Sequence, residues 1–361
     1  MRVALVHDFL TQYGGAEKVL SAFSEIWPKA PIYTLFYDKK EMRKAFSNKD
    51  IRVSPIQNLP FAKKKYRWYL PLMPSAVERF NLSHYDLVIS DSSAYSKGVI
   101  TRPSTTHISY IHSPTRYLWS DTYTYLESLS GVERLVKKFL PPILTLLRQW
   151  DVSAAQRPDY LISNSNFVSK RIKNYYFREP EKVIYPPVEA KNLKISKEIG
   201  DYFLIISRFR PYKRVDLAIK AFNKLKIPLK VVGTGNDKNL KKIAGPNIEF
   251  LGFVSEEKKA ELLSKARAFI HPQKEDFGIT AVESMASGRP VIAYKKGGAL
   301  DTVVEGKTGL FFKEQTCQCL VKKVKEFENM KFDPEKIRKH ALGFSKESFK
   351  KQIKEFVEKH V

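Results

Sequence analysis

Short, continuously apolar runs alternate with amphipathic stretches in two successive blocks, and this alternation leaves few folds open to the chain. In the first block Val3–Val6, Ile32–Phe36, Leu87–Ser90, Ile108–His112, Tyr160–Ser163 and Val183–Tyr185 read as strands. Their unbroken apolar character implies burial on both faces, the mark of parallel sheets flanked by helices. Gly14-Gly15 then opens a helix carrying Val19, Leu20, Phe23 and Ile26-Trp27 at helical spacing, and Val132–Val152 reads as helical, broken near Pro141-Pro142. The second block repeats the scheme, with strands expected at Tyr202–Ile206, Leu229–Val232, Ile248–Leu251, Ala268–His271, Pro290–Tyr294 and Gly309–Phe312. Helices are expected between them at Val215–Leu225, Glu256–Lys265 and Thr280–Ala286. Pro186-Pro187-Val188 and the polar Lys191–Gly200 stretch look like a linker. At 361 residues the chain exceeds what one core usually serves. The expected class is therefore α/β: two Rossmann-like, doubly wound parallel-sheet domains, 1–190 and 191–343, facing across a cleft at the carboxyl ends of their strands.

Charge narrows the partners. Lys+Arg number 63 against 38 Asp+Glu, a formal charge of +25. Such an excess favours a polyanion: nucleic acid, an anionic membrane or a phosphorylated substrate. A lysine-rich surface of the thermophilic kind accounts for it equally well, since Lys322–Lys325 is lysine-rich and Lys346–Lys359 mixes Lys with Glu. Cys317 and Cys319 stand at i, i+2 on an expected helix, so they are not expected to bridge each other. With Met1 running straight into the first strand no leader is expected, and no apolar run approaches the roughly 20 residues of a spanning helix. The expected location is cytoplasmic, with peripheral contact to a membrane left open.

The most informative stretch is 275–283, Glu-Asp-Phe-Gly-Ile-Thr-Ala-Val-Glu, whose two carboxylates straddle the start of a helix. The first N–H groups of a helix lack internal partners and sit at its positive end, which suits phosphate. Each carboxylate accepts two hydroxyl hydrogen bonds, which suits a sugar. A diphosphate between two sugars is a nucleotide sugar; two surface glutamates beside an ordinary loop-to-helix junction are the plainer alternative.

Other residues point the same way. Leu204-Ile-Ile-Ser-Arg-Phe-Arg-Pro-Tyr-Lys-Arg ends an expected strand in four cations, Arg208, Arg210, Lys213 and Arg214, where phosphate oxygens would be met by an Arg fork and a Lys point charge. Gly14-Gly15 lets backbone approach a ligand and permits positive φ, but no G-x-G-x-x-G stands there, which counts against a dinucleotide dehydrogenase. Gly233-Thr-Gly235 follows a strand and is either a nucleotide-contacting turn or only a turn. His112, at the carboxyl end of an expected strand, is placed to bond a sugar or developing charge. His7-Asp8 ends the first expected strand and His271 another. Neither H-E-x-x-H nor a cysteine set appears, so no metal is expected and protein cations would serve a diphosphate leaving group. Finally, Lys63, Lys64, Lys65 and Arg67 stand beside Trp68, Tyr69, Leu70 and Leu72, a mixture that suits an anionic bilayer surface or, equally, an exposed helix beside its core anchors.

Taken together, Gly14-Gly15, His112, Arg208/Lys213, Glu275…Glu283 with its Ala286-Ser-Gly-Arg-Pro-Val continuation, and Gly297-Gly298…Glu305-Gly306-x-Thr308-Gly309 resemble the retaining glycosyltransferases of family 4, with the GT-B fold. Val3-Ala-Leu-Val-His-Asp and Tyr110-Ile-His-Ser-Pro-Thr-Arg are similar to the O-antigen mannosyltransferase branch. The resemblance implies that Arg208 and Lys213 hold the donor diphosphate, Glu283 the ribose and Glu275 the transferred sugar. It implies that Phe277, Gly278 and Ile279 offer backbone amides, with Gly233 also donor-binding. Gly14 and Gly15 would border donor and acceptor, and His112 would touch the sugar near its 6-hydroxyl. The implied reaction needs no metal or other cofactor and moves a sugar, with mannose from GDP-mannose favoured, onto a lipid-linked polysaccharide precursor at the inner membrane. The implied final helix, 344–361, crosses back onto the first domain. A UDP-sugar transferase of glycolipid or capsule synthesis, a non-catalytic nucleotide-sugar binder and a nucleic-acid-binding protein are the alternatives. Lysines spread over many helices without a recognition motif argue against the last.

Overall fold

The computed structural model describes residues 1–127 and 140–361, without the side chains of 43, 44, 63 and 64. The chain divides into two compact units, Met1–Pro186 with Phe349–Val361, and Pro187–Ser348.

The first unit is built on a seven-stranded, wholly parallel sheet. Its strands are β1 (Val3–Leu10), β2 (Ile32–Tyr37), β3 (Ile51–Val53), β4 (Leu87–Ser92), β5 (Thr106–Ile111), β6 (Tyr160–Ser163) and β7 (Lys182–Val183). They lie in the order β3-β2-β1-β4-β5-β6-β7. The apolar runs become central strands because both sheet faces are covered, as the full burial of Ala4, Leu5 and Val6 shows. On one face the Gly15–Ile26 helix packs Val19, Leu20 and Phe23 into a core that also takes Phe349, Ile353, Phe356 and Val357 from the C-terminal Lys346–His360 helix. The opposite face is covered by Leu70, Met73 and Val77, and by Leu144 and Leu147 of the Leu140–Ala155 helix.

The second unit carries β8 (Phe203–Ile206), β9 (Leu229–Val232), β10 (Ile248–Gly252), β11 (Phe269–His271), β12 (Val291–Tyr294) and β13 (Gly309–Phe312) in the order β10-β9-β8-β11-β12-β13, again parallel. Each sheet therefore reverses its strand order once, between β1 and β4 and between β8 and β11. Ligands of doubly wound sheets bind outside the carboxyl ends of the strands at such a switch point.

Two expected strands change, one strand is new, and one expected helix break is absent. β1 continues to Leu10, so His7 and Asp8 lie within the strand and do not end it. The strand expected at Val183–Tyr185 is the two-residue β7, and its last residues are loop. β3 was not foreseen: it is a three-residue edge strand with an exposed middle residue, too short to show a periodicity. Of the helix expected at Val132–Val152, the part up to 139 lies outside the described residues; the rest belongs to the Leu140–Ala155 helix, which contains both prolines in its first turn, where a missing N–H costs nothing.

Candidate active site

In the second unit several of the candidate residues meet at the carboxyl ends of β8 and β11. The loop leaving β8 exposes Arg208, then turns through Pro211–Lys213, and Arg214 takes a left-handed conformation at φ 52° before the Val215–Leu225 helix. Lys213 Nζ lands on Glu275 Oε1 as a hydrogen-bonded ion pair. Beyond β11, the Gln273 amide bonds that same oxygen at 3.0 Å and lies 3.2 Å from His271 Nδ1. Burial raises the Glu275 pKa, but the Lys213 charge, then His271, then hydrogen bonds from Lys213 and Gln273 outweigh it and hold the group at about 2. It is a carboxylate at any physiological pH. His271 is neutral: burial, reinforced by Lys213 against the pull of Glu275, lowers its pKa to about 4.

Gly278 follows at φ 95° and caps the Ile279–Ala286 helix. A side chain there would be strained, and its Cβ would lie 3.1 Å from the His271 ring. Phe277 is buried and tilts against Phe344 at 5.8 Å, fixing the backbone just ahead of the helix. Glu283, one turn in, is only 3% exposed and lies 3.2 Å from Lys259 Nζ of the Glu256–Lys265 helix. Gly233, at φ 149°, would place a Cβ 1.7 Å from the Ser207 carbonyl oxygen. The Gly233-Thr-Gly235 turn is thus packed backbone-to-backbone against the loop that bears Arg208, through Phe209 N–H to Thr234 O at 2.8 Å.

In the first unit the buried polar network centres on Asp91, which is not among the residues singled out from the sequence. Asp91, near the end of β4, is 1% exposed and accepts from two imidazoles: His7 Nδ1 at 2.8 Å and His112 Nε2 at 2.6 Å. His7 and Asp91 are register partners on adjacent strands, and His112 follows β5 with its amide bonded to Ser92 O at 2.8 Å. His7 Nε2 faces Glu17 Oε1 at 3.7 Å, and Glu17 Oε2 accepts the Gly14 amide at 2.7 Å. Burial disfavours the His7 cation, but hydrogen bonds to Asp91 and Glu17 prevail and push its pKa to about 10. Asp91 is held below the usual carboxylate range: burial opposes this, and the charge of His112 leads the favourable causes. Gly14 has φ −144° and Gly15 begins the helix, so the pair does not use the positive φ that glycine allows. Asp8 is not a ligand-facing group; its carboxylate accepts the amides of Ser93, Ala94, Tyr95 and Ser96 at 2.6–2.8 Å, pinning the turn after β4.

The basic-aromatic segment forms one helical turn, Ala62–Lys65, followed by the 3-10 stretch Tyr66–Leu72. Leu70 is buried while Phe61, Trp68 and Leu72 are exposed, and Lys65 Nζ stands 4.1 Å over the Trp68 ring. Arg67 lies 6.0 Å over the Tyr125 ring; the side chains of Lys63 and Lys64 lie outside the described residues. Among the described residues no helix is long and apolar enough to cross a membrane, and no three side chains cluster as a metal site.

These two parallel sheets and the Glu275…Glu283 loop-helix match a known family. Residues 189–343 fit the model of "Glycosyl transferases group 1". An uncharacterized glycosyltransferase of Methanocaldococcus jannaschii is 34% identical over 253 residues, covering 64% of this chain and 69% of that protein. The alpha-1,3/1,6-mannosyltransferase of Dictyostelium discoideum is 26% identical over 287 residues, 64% of each chain. The O-antigen chain mannosyltransferase C of Escherichia coli is 25% identical over 225 residues, 57% of this chain and 58% of its own length. Among solved structures, Anabaena HepE in complex with UDP superposes with a TM-score of 0.72 at 17% identity, covering 99% of this chain and all of its own. Sucrose-phosphate synthase from Thermosynechococcus elongatus does so at 0.73 and 16%, covering 99% and 98%. The chain belongs to the group 1 glycosyltransferases, with the GT-B fold, and is a glycosyltransferase.

Proposed function

We propose that this enzyme transfers a hexose, mannose from GDP-mannose, onto a lipid-linked polysaccharide precursor, with retention of anomeric configuration and without a metal ion. The observation that carries the donor reading is the Lys213–Glu275 pair at the carboxyl ends of β8 and β11, directly before a helix whose second turn buries Glu283. A fixed cation, a fixed carboxylate and a helix N-terminus suit a diphosphate flanked by two polyols. In this reading Arg208 and Lys213 take the diphosphate, Glu283 the ribose hydroxyls and Glu275 the hydroxyls of the transferred hexose. Phe277, Gly278 and Ile279 offer backbone to the phosphates. Gly233 acts by shaping the Arg208 loop. His112, Gly14 and Gly15 serve the sugar and the acceptor.

In the transfer the bond from the sugar C1 to the diphosphate oxygen breaks, and the acceptor oxygen bonds C1 on the same face. The acceptor proton passes to the departing phosphate, whose growing charge Lys213 and Arg208 offset. Mannose is favoured because mannosyltransferases recur among the relatives. The exposed Trp68 and Leu72, with Lys65 and Arg67, form the edge proposed to rest on an anionic membrane that carries the acceptor.

The test is a thermal-shift titration with GDP, UDP, ADP and GDP-mannose, each with and without Mg²⁺. A ligand at about 100 times its Kd adds roughly 2.7 kcal/mol to stability. Selective stabilisation by GDP and GDP-mannose, unchanged by Mg²⁺, is the expected result. Preference for UDP replaces the donor; no response to any nucleotide removes the donor reading.

A further inference from the structure

We propose that Asp91 is the positioning residue of the first unit: one buried carboxylate fixes the tautomer and direction of His112 and, through His7 and Glu17, also fixes the Gly14-Gly15 turn. The inference rests on the reading of His112 as a sugar-facing group and adds what sets that group.

The geometry leaves little freedom. Asp91 is 1% exposed and its two oxygens divide between two rings, Oδ2 to His7 Nδ1 and Oδ1 to His112 Nε2. An ionised carboxylate only accepts, so His112 must carry its proton on Nε2. His112 Nδ1, with no hydrogen bond among the described residues, is then the nitrogen left for a ligand, and the ring is held edge-on to Tyr110 at 5.2 Å. The side chain of His112 is 12% exposed where Asp91 is closed off, so the ring is the network's outlet.

The other arm ends on backbone. His7 lies between two carboxylates: its Nδ1 is hydrogen-bonded to Asp91 at 2.8 Å and its Nε2 faces Glu17 at the ion-pair distance of 3.7 Å. Glu17 spends its second oxygen on the Gly14 amide. Among the described residues, the titratable groups recorded against the two rings are Asp91, Glu17 and Tyr110. Asp8, next along β1, is turned away to the amides of the 93–96 turn. With His7 charged, the pair of carboxylates keeps one net negative charge toward His112. That charge holds Nε2–H and stabilises positive charge drawn near the ring.

The experiment compares the whole protein with Asp91→Asn and Glu17→Gln, reading imidazole nitrogens by long-range ¹⁵N–¹H NMR at pH 7.5 and, in parallel, the thermal stabilisation by GDP and by GDP-mannose. In the parent protein His7 should appear doubly protonated and His112 should carry a proton on Nε2. In Asp91→Asn, His7 should lose its extra proton and His112 should populate Nδ1–H, because the new amide can donate to Nε2. The variant should keep the GDP response and lose most of the additional response to GDP-mannose. Glu17→Gln should lower the midpoint of His7 titration and leave the His112 tautomer alone. Unchanged imidazole signals in both variants, or an Nδ1–H tautomer of His112 in the parent, overturn the assignment. Should Asp91→Asn fail to fold, the parent tautomer and Glu17→Gln decide it. A parent protein that binds neither GDP nor GDP-mannose sinks the donor reading alone, since the imidazole states are read without ligand.

Discussion

The amide of Gly298 donates to the carbonyl oxygen of Glu275 at 2.9 Å, so the glycine pair after β12 and the carboxylate loop after β11 form one backbone unit. A Cβ on Gly298 would lie 2.4 Å from Asp276 O, and one on Gly297, at φ 74°, 2.3 Å from Glu275 O. Both glycines are there to let backbone touch backbone. Gly298→Ala should therefore displace the Glu275 loop, at about 1–3 kcal/mol in stability. Urea unfolding gives the stability loss, and donor binding should weaken in parallel; an unchanged Kd for nucleotide and sugar nucleotide would show that the loop tolerates the shift.

Glu275 predicts an acid-sensitive ion pair. Its folded pKa, about 2, lies below its ordinary 4.5, so its contribution is complete above pH 4.5 and is lost as pH falls toward 2. The nominal size is roughly 3 kcal/mol. Unfolding free energies of the parent and Glu275→Gln should diverge above pH 4.5 and converge below it. Lys213→Met should move the parent's loss to higher pH.

His7 and His271 predict opposite slopes. The folded pKa of His7, about 10, exceeds its ordinary 6.5, so its stabilisation is full below pH 6.5 and drains away as pH rises through 10. His271, near 4 when folded, is neutral in the native state; its contribution is full above pH 6.5 and is lost as pH falls toward 4. His7→Gln should flatten the alkaline side of the stability profile and His271→Asn the acid side. Crossed or absent effects in chemical unfolding at pH 5, 7 and 9 would contradict the assignments.

Lys259 and Glu283 should respond unequally. Glu283→Ala removes the proposed ribose acceptor and should weaken GDP binding by about 1–3 kcal/mol. Lys259→Ala leaves Glu283 buried without this cation and should cost stability first. Isothermal titration and unfolding curves for both variants separate the two losses.

Phe349→Ala should destabilise the first unit although it lies in the last helix. Its ring packs 5.4 Å from Phe23 and 5.8 Å from Tyr110, and deleting it should cost about 3–5 kcal/mol. Hydrogen exchange should show the loss in β1, β4 and β5 and spare β8 to β13.

The fold was legible because burial on both faces writes itself into contiguous apolar runs; Val215–Leu225 and Glu256–Lys265 have the limits expected from the sequence. The three residues of β3 carry no such pattern. Lys213 and Glu275 stood out as candidates because each sits in a motif with its own local grammar, but their pairing, 62 residues apart, was not written in either motif. Asp91 was not. Between Ser90 and Ser92 it reads as a polar strand end, and its partners lie 84 and 21 residues away. A charged residue just after the apolar run Leu87–Ile89 was the signal, and it does not name its partners. Glu17 was hidden for a related reason: an acidic first turn is common, and nothing local says that its carboxylate also faces His7.

The first unit is completed by Phe349–Val361, whereas the second is the unbroken stretch Pro187–Ser348. During synthesis, then, the second unit has all of its residues before the first does, although the first begins to emerge earlier. Until Phe349, Ile353, Phe356 and Val357 leave the ribosome, an apolar strip of the Gly15–Ile26 side lies open. The order of translation is thus the reverse of the order of completion, and a chain emerged only as far as Ser348 would present all residues of the second unit and a first unit still lacking its last helix residues.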